Sequence, residues 1–599
     1  MSAEEYANWD MTPYFDAFDG DDFRAFTAEV RAGLSALQVR LEALGPIVTE
    51  NLGAWAEAIC AREELLTRVS HLSSYLGCLG SADTKDGEIR AARAAFYADL
   101  AEVDKLKAVL LDAFQSASEE VFSALLAHPS LEGAGHDLRR MRKQASKRMS
   151  KELELLAADL SVDGLGAWGR LYDAIDGGLD FELKVPGEET RRVPVAWKRS
   201  LTQDPDPSVR KAALEGSNEA WAGAASSLVA SLNAIAGWRH TLGRWRGESH
   251  FLEPALFQGG ISREVLDAMM EAVAAKRQTV WRYLKIKARL VGKEQLGFQD
   301  LACPLPMDEP KRVGWAEARE TIVEAFDGFE PELGAFARMA FDKNWIDSEP
   351  RAGKRSGGFC SGSQLIGQTR IFMTFNHTMG DTQTLAHELG HAYHGWVMRD
   401  MRAMALRYPM TLAETASMFA EAVLTDAVLE NPETSAADRD LILDTRLNRA
   451  STSVLNIPMR YIFEKAFYEE RLKGTVSLER TKALMLDAQR QCYGDCLNED
   501  EMDPWFWASK LHFYLTGTVF YNFPYTFGYA FSQGVFDRAK AEGPGFFETY
   551  KRLLRGTGST DPETLAREVL GVEMSDPAFW TASMKSIDED LARFEARFG

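Results

Sequence analysis

The chain has 599 residues, of which 46% are apolar and 26% are charged, a composition typical of soluble globular proteins. Its formal net charge is −21, from 89 acidic and 68 basic side chains. Such an excess of negative charge argues against nucleic acid or an anionic membrane as the main partner. At this length we expect two or more lobes around a large hydrophobic core.

The N-terminus and the cysteines indicate a cytoplasmic location. The first ten residues, MSAEEYANWD, contain neither a basic stretch nor an apolar run, so they do not resemble a secretory signal. No apolar stretch reaches the roughly 18–20 residues of a membrane-spanning helix. Six cysteines are scattered along the chain, which favours reduced thiols over a disulfide framework.

The first part of the chain is predicted to be helical. Between residues 21 and 160, apolar residues recur every three or four positions, as in DDFRAFTAEVRAGLSALQVRLEAL. The stretch FELKVPGEETRRVPV (181–195) then alternates and contains turn residues, which predicts a small β-hairpin. We place the boundary between the lobes near 185–205 and assign 1–190 to a helical N-terminal domain and 191–599 to a second domain.

The second part is also helical, with one interruption. A helical pattern runs from 208 to 345, with Ser262 as the expected N-cap of one helix. The glycine-rich RAGKRSGGFCSGSQ (351–364) and the β-like IFMTF (371–375) follow, and helices return from 381 to the end. The predicted fold class is mainly α, with a small β-sheet directly before a histidine cluster.

That cluster is DTQTLAHELGHAYHGW (381–396). His387 and His391 are four residues apart, so both project from one face of a helix and can bind a single ion. Glu388 points about 100° away, where it can act as a general base without binding the ion. This His-Glu-x-x-His arrangement predicts a catalytic zinc site. Asp381 or Thr382 is the expected N-cap of the helix.

The third zinc ligand is less clear. His394 lies roughly 10 Å along the helix from His387, too far to share an ion, so we expect it to contact substrate or to pack at the cleft wall. The metzincin pattern is excluded by His394 and Val397. Glu414 is the acidic candidate, although Thr411 and Glu414 also fit a capping box. Glu421 would orient a histidine, or replace Glu414 as the ligand.

Three motifs together resemble the oligoendopeptidase F and thimet-type zinc oligopeptidase family: HELGHAYH, LAETAS at this distance, and FYNFPYTFGYAFS near the C-terminus. The resemblance implies a mostly helical, two-lobed body, with one Zn²⁺ per chain at the floor of a deep channel. By position, it implies His387, His391 and Glu414 as ligands and Glu388 as the general base. It also makes 191–599 the zinc peptidase domain.

The resemblance extends to substrate contacts. SGGFCSGSQLIGQTRIFMTF is similar to the family's β-region, where an edge strand can pair with an extended peptide. Gly357 and Gly358 would allow the two backbones to approach each other there.

The family's oxyanion donor corresponds to Tyr529 of FGYAFS. Thimet-type members carry a further tyrosine where this chain has Asn522, and a histidine where it has Thr518. These departures leave the auxiliary donors open. The candidates for that role, in order of preference, are Tyr525, Tyr521 and His512.

The sequence therefore predicts a zinc metallo-endopeptidase that hydrolyses short, unstructured peptides. Two alternatives remain: a zinc carboxypeptidase of related helical fold, and a helical peptide-binding scaffold with an inert site. No nucleic-acid or membrane partner is expected, and the oligomeric state is left open.

Overall fold

The computed structural model describes residues 6–306 and 312–599. Helices account for 70% of the structure, which confirms the predicted mainly α class. The helices in the first half of the chain are α1 (Asp21–Ala43), α2 (Leu52–Ala82), α3 (Gly87–Ser116), α4 (Glu119–Leu126), α5 (Gly135–Ala145), α6 (Lys151–Asp163), α7 (Leu165–Gly178), α8 (Lys198–Leu201), α9 (Pro207–Trp245), α10 (Glu253–Gly259) and α11 (Arg263–Leu290). Those in the second half are α12 (Trp315–Phe329), α13 (Pro331–Asp342), α14 (Met379–Met398), α15 (Met410–Ala413), α16 (Thr415–Glu430), α17 (Ala436–Ser451), α18 (Ile457–Arg471), α19 (Leu478–Tyr493), α20 (Phe523–Glu542), α21 (Phe546–Gly556), α22 (Pro562–Leu565), α23 (Pro577–Ser583) and α24 (Lys585–Phe598).

The chain divides into two compact units, each assembled from separate segments. Unit 1 contains residues 1–148, 310–434 and 535–572, and unit 2 contains residues 149–309, 435–534 and 573–599. The domain boundary drawn from the sequence remains a prediction. None of the helices in the described ranges combines the length and apolarity that crossing a bilayer requires.

One hydrophobic cluster of unit 1 is built almost entirely by its N-terminal helices. One face of α1 buries Val30, Leu34 and Leu41, which recur at helical spacing. They pack in one cluster with buried residues of α2, including Trp55 and Leu72. The apolar periodicity of the first 145 residues is thus satisfied inside unit 1.

A three-stranded sheet precedes the histidine helix in unit 1. Its strands are β3 (Ile346–Asp347), β4 (Phe359–Ser363) and β5 (Gln368–Phe372), in the order β3-β5-β4. Strand β4 pairs antiparallel with β5, Phe359 opposite Phe372, whereas β3 pairs parallel with β5. The β-element predicted before the cluster is confirmed, and β4 lies at the edge of the sheet.

Unit 2 contains the predicted hairpin, formed by two antiparallel strands, β1 (Asp180–Leu183) and β2 (Arg191–Pro194). Helix α9 packs closely against it: a Cβ at Gly216 would lie 2.4 Å from the Glu182 carbonyl oxygen. The predicted N-cap of α11 is also confirmed, because the Ser262 side chain accepts a hydrogen bond from the Val265 backbone N–H.

Candidate metal centre

The histidine helix, α14, begins at Met379, and its N-cap lies three residues before Asp381, the earlier of the two predicted caps. Thr378 is the N-cap: its Oγ1 accepts from the Asp381 backbone N–H at 3.1 Å, and its own N–H donates to Asp381 Oδ2 at 3.0 Å. The expectation that Asp381 or Thr382 caps the helix is therefore wrong. Asp381 is the acidic member of a capping box, a Thr-x-x-Asp pattern visible in the sequence as TMGD.

Two imidazoles and one carboxylate converge on a single point beside α14. Glu414 Oε2 lies 3.3 Å from His387 Nε2 and 3.5 Å from His391 Nε2. The three donor atoms lie within 4.8 Å of one another. Glu414 stands between the short helix α15 and α16, at the break between them. Helix spacing on α14 and this break together bring the three side chains into one cluster.

Glu414 is not part of a capping box. Pro409 is the N-cap of α15 and Thr411 lies inside that helix, so Thr411 and Glu414 do not form the capping box considered from the sequence. Instead, Ser417 Oγ donates to Glu414 Oε2 at 2.7 Å. This contact fixes the orientation of the carboxylate that faces the histidines.

Gly390 sets the distance between the two helices. A Cβ at this position would lie 2.4 Å from the Ala416 carbonyl oxygen and 2.6 Å from the Ser417 Cα, both in α16. These are backbone atoms, which a rotamer change cannot move out of the way. The absence of a side chain at Gly390 therefore allows α16 to carry Glu414 close to the histidines.

A second carboxylate orients one of the imidazoles. Glu421 Oε1 lies 3.2 Å from His387 Nδ1. Because Nδ1 faces this carboxylate, which is buried on α16, we infer that Nδ1 carries the proton and that Nε2 is the nitrogen that binds a metal ion. Burial, together with the neighbouring His387, lowers the pKa of His391 well below its ordinary value, so this imidazole is neutral at pH 7. Neutral imidazoles are the form that binds metal ions.

The donor set fits a small dication. A tetrahedral zinc with ligand distances of about 2.0–2.2 Å holds its donors about 3.3–3.6 Å apart. The two distances from Glu414 Oε2 to the imidazole nitrogens, 3.3 and 3.5 Å, lie in this range. Two nitrogens and one carboxylate oxygen are also the ligand types of a catalytic zinc, which retains an open fourth position.

Glu388 lies beside this cluster without belonging to it. Its side chain is buried, and its Oε2 has no hydrogen-bond partner among the residues that the structure describes. Burial raises the pKa of Glu388 to about 7; His387 opposes this rise and Glu414 adds to it. A bound dication would lower that pKa again. The unpartnered oxygen is thus available to accept a proton.

Of the two glycines singled out from the sequence, Gly358 is placed next to Glu388. A Cβ at Gly358 would lie 3.1 Å from Glu388 Oε1 and 3.3 Å from the Phe372 carbonyl oxygen. Gly357 adopts φ +93°, a conformation that favours glycine, and space around it is open. Their contact with substrate remains a prediction.

His394 occupies a closed environment in the same unit. It is fully buried, its Nε2 lies 3.0 Å from Thr557 Oγ1, and its ring stacks on Tyr408 with centroids 4.5 Å apart. This environment favours packing, the second role considered for His394, over a contact with substrate.

The tyrosines and histidine predicted near the C-terminus lie in unit 2. Tyr529 is buried in α20. His512, Tyr521 and Tyr525 form one aromatic cluster, with ring centroids 5.5 Å (His512–Tyr521), 6.0 Å (His512–Tyr525) and 5.0 Å (Tyr521–Tyr525) apart. Their catalytic roles remain predictions.

A buried polar network holds the backbone that enters α20. Asn522 Nδ2 donates to Glu464 Oε2 at 2.6 Å, and Arg239 donates to the Thr518 carbonyl oxygen at 2.8 Å. Phe520 adopts φ +51°, which is rare for a bulky residue. The sequence analysis did not single out Glu464. Its spacing could have indicated a buried carboxylate, because Glu464 lies on the same face of α18 as three residues with apolar side-chain surface: Ile457, Tyr461 and Tyr468.

Comparisons with known proteins agree over most of the chain. Residues 330–585 match the family model described as Peptidase family M3, and residues 114–181 match the one described as Oligopeptidase F. Oligopeptidase PepF of Bacillus subtilis is 21% identical over 90% of this chain and 80% of its own length. An oligoendopeptidase F homolog of Lactococcus lactis is 25% identical over 88% and 87%, respectively.

Solved structures show the same fold. Oligoendopeptidase-F from Enterococcus faecium superposes with a TM-score of 0.72 at 20% identity, covering 95% of this chain and 98% of its own. The matches support a metallopeptidase role, and the first matched range contains His387, His391 and Glu414. Residues 330–585 thus match peptidase family M3, and the chain as a whole resembles the oligoendopeptidase F proteins in sequence and fold.

Proposed function

We propose that the chain is a zinc-dependent endopeptidase that cleaves internal bonds of short, unstructured peptides. The observation that carries this proposal is the cluster of His387, His391 and Glu414, in which both distances from the carboxylate to the nitrogens match tetrahedral donors. Beside it lies Glu388, whose Oε2 has no hydrogen-bond partner among the described residues. Zinc bound by these residues would supply a Lewis acid that polarises a carbonyl and acidifies water.

Glu388 is the proposed general base. Attack of water on a peptide carbonyl needs an acceptor for one proton, and Glu388 Oε2 is a carboxylate oxygen without a partner in the described structure. The same oxygen can return the proton to the leaving amine nitrogen, because a carboxyl group whose burial has raised its pKa is a competent acid. A side chain at position 358 would press against Glu388 Oε1. Because Gly358 has none, the Glu388 carboxyl group has room to act first as base and then as acid.

Glu421 and Ser417 act by positioning. Ser417 Oγ holds Glu414, and Glu421 holds the His387 ring, so neither ligand has to be ordered when metal binds. On the family resemblance, Tyr529 is proposed to donate a hydrogen bond from its hydroxyl to the developing oxyanion.

The test is hydrolysis of an internally quenched peptide of about ten residues, blocked at both ends, since the family's members include oligoendopeptidases. We expect cleavage at an internal bond that a zinc chelator abolishes and added zinc restores. Cleavage that survives complete removal of metal would contradict the proposal. Cleavage only of the same peptide with a free C-terminus, one residue at a time, would establish a carboxypeptidase instead.

A further inference from the structure

A cavity in unit 1 lies beside the C-terminal half of α14. Its volume is about 440 Å³, which is within the range of sites for small organic ligands. Its walls come from α2 through Leu66, from the β4–β5 hairpin through Gly362 and Gln364, and from α14 through Ala392 and Gly395. Every residue that lines the cavity belongs to unit 1, so the site is contained in one compact unit.

The cavity is separate from the metal centre but is built on the same elements. None of the metal-cluster residues lines it, and neither does Glu388. Ala392, Gly395 and Arg399 follow Glu388 by four, seven and eleven residues, so all four lie on one face of this helix. Strand β4 begins one residue after the glycine that faces Glu388 and ends at the cavity, where Ser363 lines it. A ligand in the cavity would therefore contact both the helix and the strand that flank Glu388.

Aromatic rings and a glycine shape the cavity. Trp345, Trp396 and Tyr408 line it, and the ring centroids of the two tryptophans lie 6.2 Å apart. At Gly395 the wall is bare backbone: a Cβ there would meet Thr369 Cγ2 at 3.5 Å, an ordinary contact. Flat apolar walls with open space between them suit a planar organic group.

The charged side chains that line the cavity are both basic. They are Arg399 and Arg407, and no aspartate or glutamate lines it, although the chain carries a net charge of −21. Arg399 Cζ lies 3.7 Å from the centroid of the Trp396 ring, a stacked arrangement that orders the guanidinium at the cavity wall. The cavity is therefore electropositive within an acidic protein.

These two arginines have little negative charge close to them. Arg399 forms no ion pair with a carboxylate in the described ranges, and the adjacent Asp400 pairs with Arg555 at 2.6 Å. Arg407 approaches Asp137 only to 3.6 Å, beyond the length of a charge-assisted hydrogen bond. An anion in the cavity would supply the missing counter-charge.

We propose that this cavity binds a small organic carboxylate with a flat apolar body. Arg399 and Arg407 would hold the carboxylate, and Trp345 and Trp396 would cover the apolar body. An inorganic anion would leave the aromatic walls without contacts, and an uncharged ring would leave both arginines without an anion. The site is apart from the metal cluster, so the inference goes beyond the proposed function and does not depend on it.

The experiment is isothermal titration calorimetry of the full chain with 1-naphthoate and with 1-naphthamide, its uncharged isostere. We expect one naphthoate per chain, bound at least about fivefold more tightly than the amide, because only the acid can pair with the arginines. Arg399→Gln should bring the two Kd values together, and Arg399 is exposed, so this variant should fold. Gly395→Leu should weaken both compounds at least about tenfold, because the leucine side chain occupies the cavity.

The matched control is Arg139→Gln, which removes an exposed arginine of unit 1 outside the cavity and should keep both wild-type Kd values. Equal affinity of the wild type for acid and amide would overturn the inference, and so would a preference for the acid that Arg399→Gln retains. Absence of binding at millimolar concentration would also overturn it. The titration is repeated with a zinc chelator, because carboxylates bind zinc; binding that the chelator abolishes would belong to the metal centre and refute the cavity as the site.

A carboxylate could come from a separate small molecule or from an acidic side chain of a peptide, and competition distinguishes the two sources. Two blocked peptides of about ten residues, identical except for one glutamate or glutamine, compete with 1-naphthoate on Glu388→Gln protein, in which cleavage should be too slow to consume them. Displacement by the glutamate peptide alone would support the site and identify a peptide as its ligand. Displacement by neither peptide, with naphthoate still bound, would support a small molecule. Equal displacement by both peptides would contradict recognition of a carboxylate.

Discussion

In the metal centre two regular helices position the functional groups, whereas in the aromatic segment 505–531 irregular backbone leads into α20, the helix that carries Tyr525 and Tyr529. Helices α14 and α16 approach each other at Gly390, and helical spacing then places both imidazoles and Glu414. Residues 505–531 contain short turns, and Phe520 adopts a left-handed backbone conformation. Hydrogen bonds from Asn522 to Glu464 and from Arg239 to the Thr518 carbonyl oxygen hold this backbone in place. The first region is fixed by steric contact and the second by buried polar groups.

The difference predicts different sensitivities. A steric arrangement fails when atoms are added, because packed backbone cannot move aside. A polar arrangement fails when a partner is removed or its protonation changes, because the groups left behind are buried without hydrogen bonds. Substitutions in the metal centre should therefore act through added atoms or lost ligands, and those in the aromatic segment through lost hydrogen bonds or changed protonation.

Glu388→Gln should produce the largest loss. The amide keeps the shape of the side chain but cannot accept the proton, so kcat should fall by about 10²–10⁴-fold. Bound zinc, measured by atomic absorption, should stay at the wild-type level because Glu388 is not a ligand. Glu320→Gln, an exposed position on α12, serves as the control. Normal turnover by metal-loaded Glu388→Gln would disprove the base assignment.

Tyr529→Phe examines the aromatic segment directly. If the hydroxyl donates to the oxyanion, kcat should fall by about 10²–10³-fold with little change in KM. Steady-state kinetics on the quenched peptide separate the two parameters. An effect confined to KM would remove Tyr529 from the oxyanion role.

Gly390→Ala should weaken metal binding, because the added methyl group meets the Ala416 and Ser417 backbone and displaces Glu414. We expect zinc affinity to fall by about 10–100-fold, as 1–3 kcal/mol of overpacking implies. Competition with a chromophoric chelator measures it.

Gly395→Ala is the matched control on the same helix, since its Cβ would meet Thr369 Cγ2 at an ordinary 3.5 Å. It should retain the wild-type affinity. Unchanged zinc binding in Gly390→Ala would show that the helix contact does not determine the donor geometry.

Glu464→Gln should change how stability depends on pH. Burial raises the pKa of Glu464 to about 8, from an ordinary value of 4.5. Its native state therefore retains a proton that the unfolded chain releases. Stability is fully present below pH 4.5 and falls as the pH rises toward 8, by at most about 1.4 kcal/mol per pH unit.

The variant lacks this titration. Its urea midpoint should therefore rise relative to that of the wild type as the pH increases from 5 to 8. Glu479→Gln, whose side chain is 81% exposed, should follow the wild-type curve. Parallel curves for Glu464→Gln and the wild type would show that Glu464 is ionised in the native state.

The two regions also differ in how far the sequence predicts them. His387, Glu388 and His391 follow from helical geometry, which depends only on residues close together in the chain. The cap at Thr378 was equally local and was missed because Asp381 and Thr382 lie nearer to the histidines. By contrast, the contact between Gly390 and α16 joins segments about 25 residues apart, and Glu464 meets Asn522 across a separation of 58 residues. Hydrophobic periodicity within one segment does not predict contacts between segments that are distant in the chain, so only the structure reveals these two contacts.

Gly390 has a further consequence, for the size of the ion. Because the two helices approach each other this closely, Glu414 Oε2 lies 3.3 and 3.5 Å from the imidazole nitrogens, the spacing of donors around a small tetrahedral ion. Calcium takes six or more oxygen ligands at about 2.3–2.6 Å, whereas this cluster offers two nitrogens and one carboxylate. We therefore expect calcium to compete poorly with zinc for these three residues.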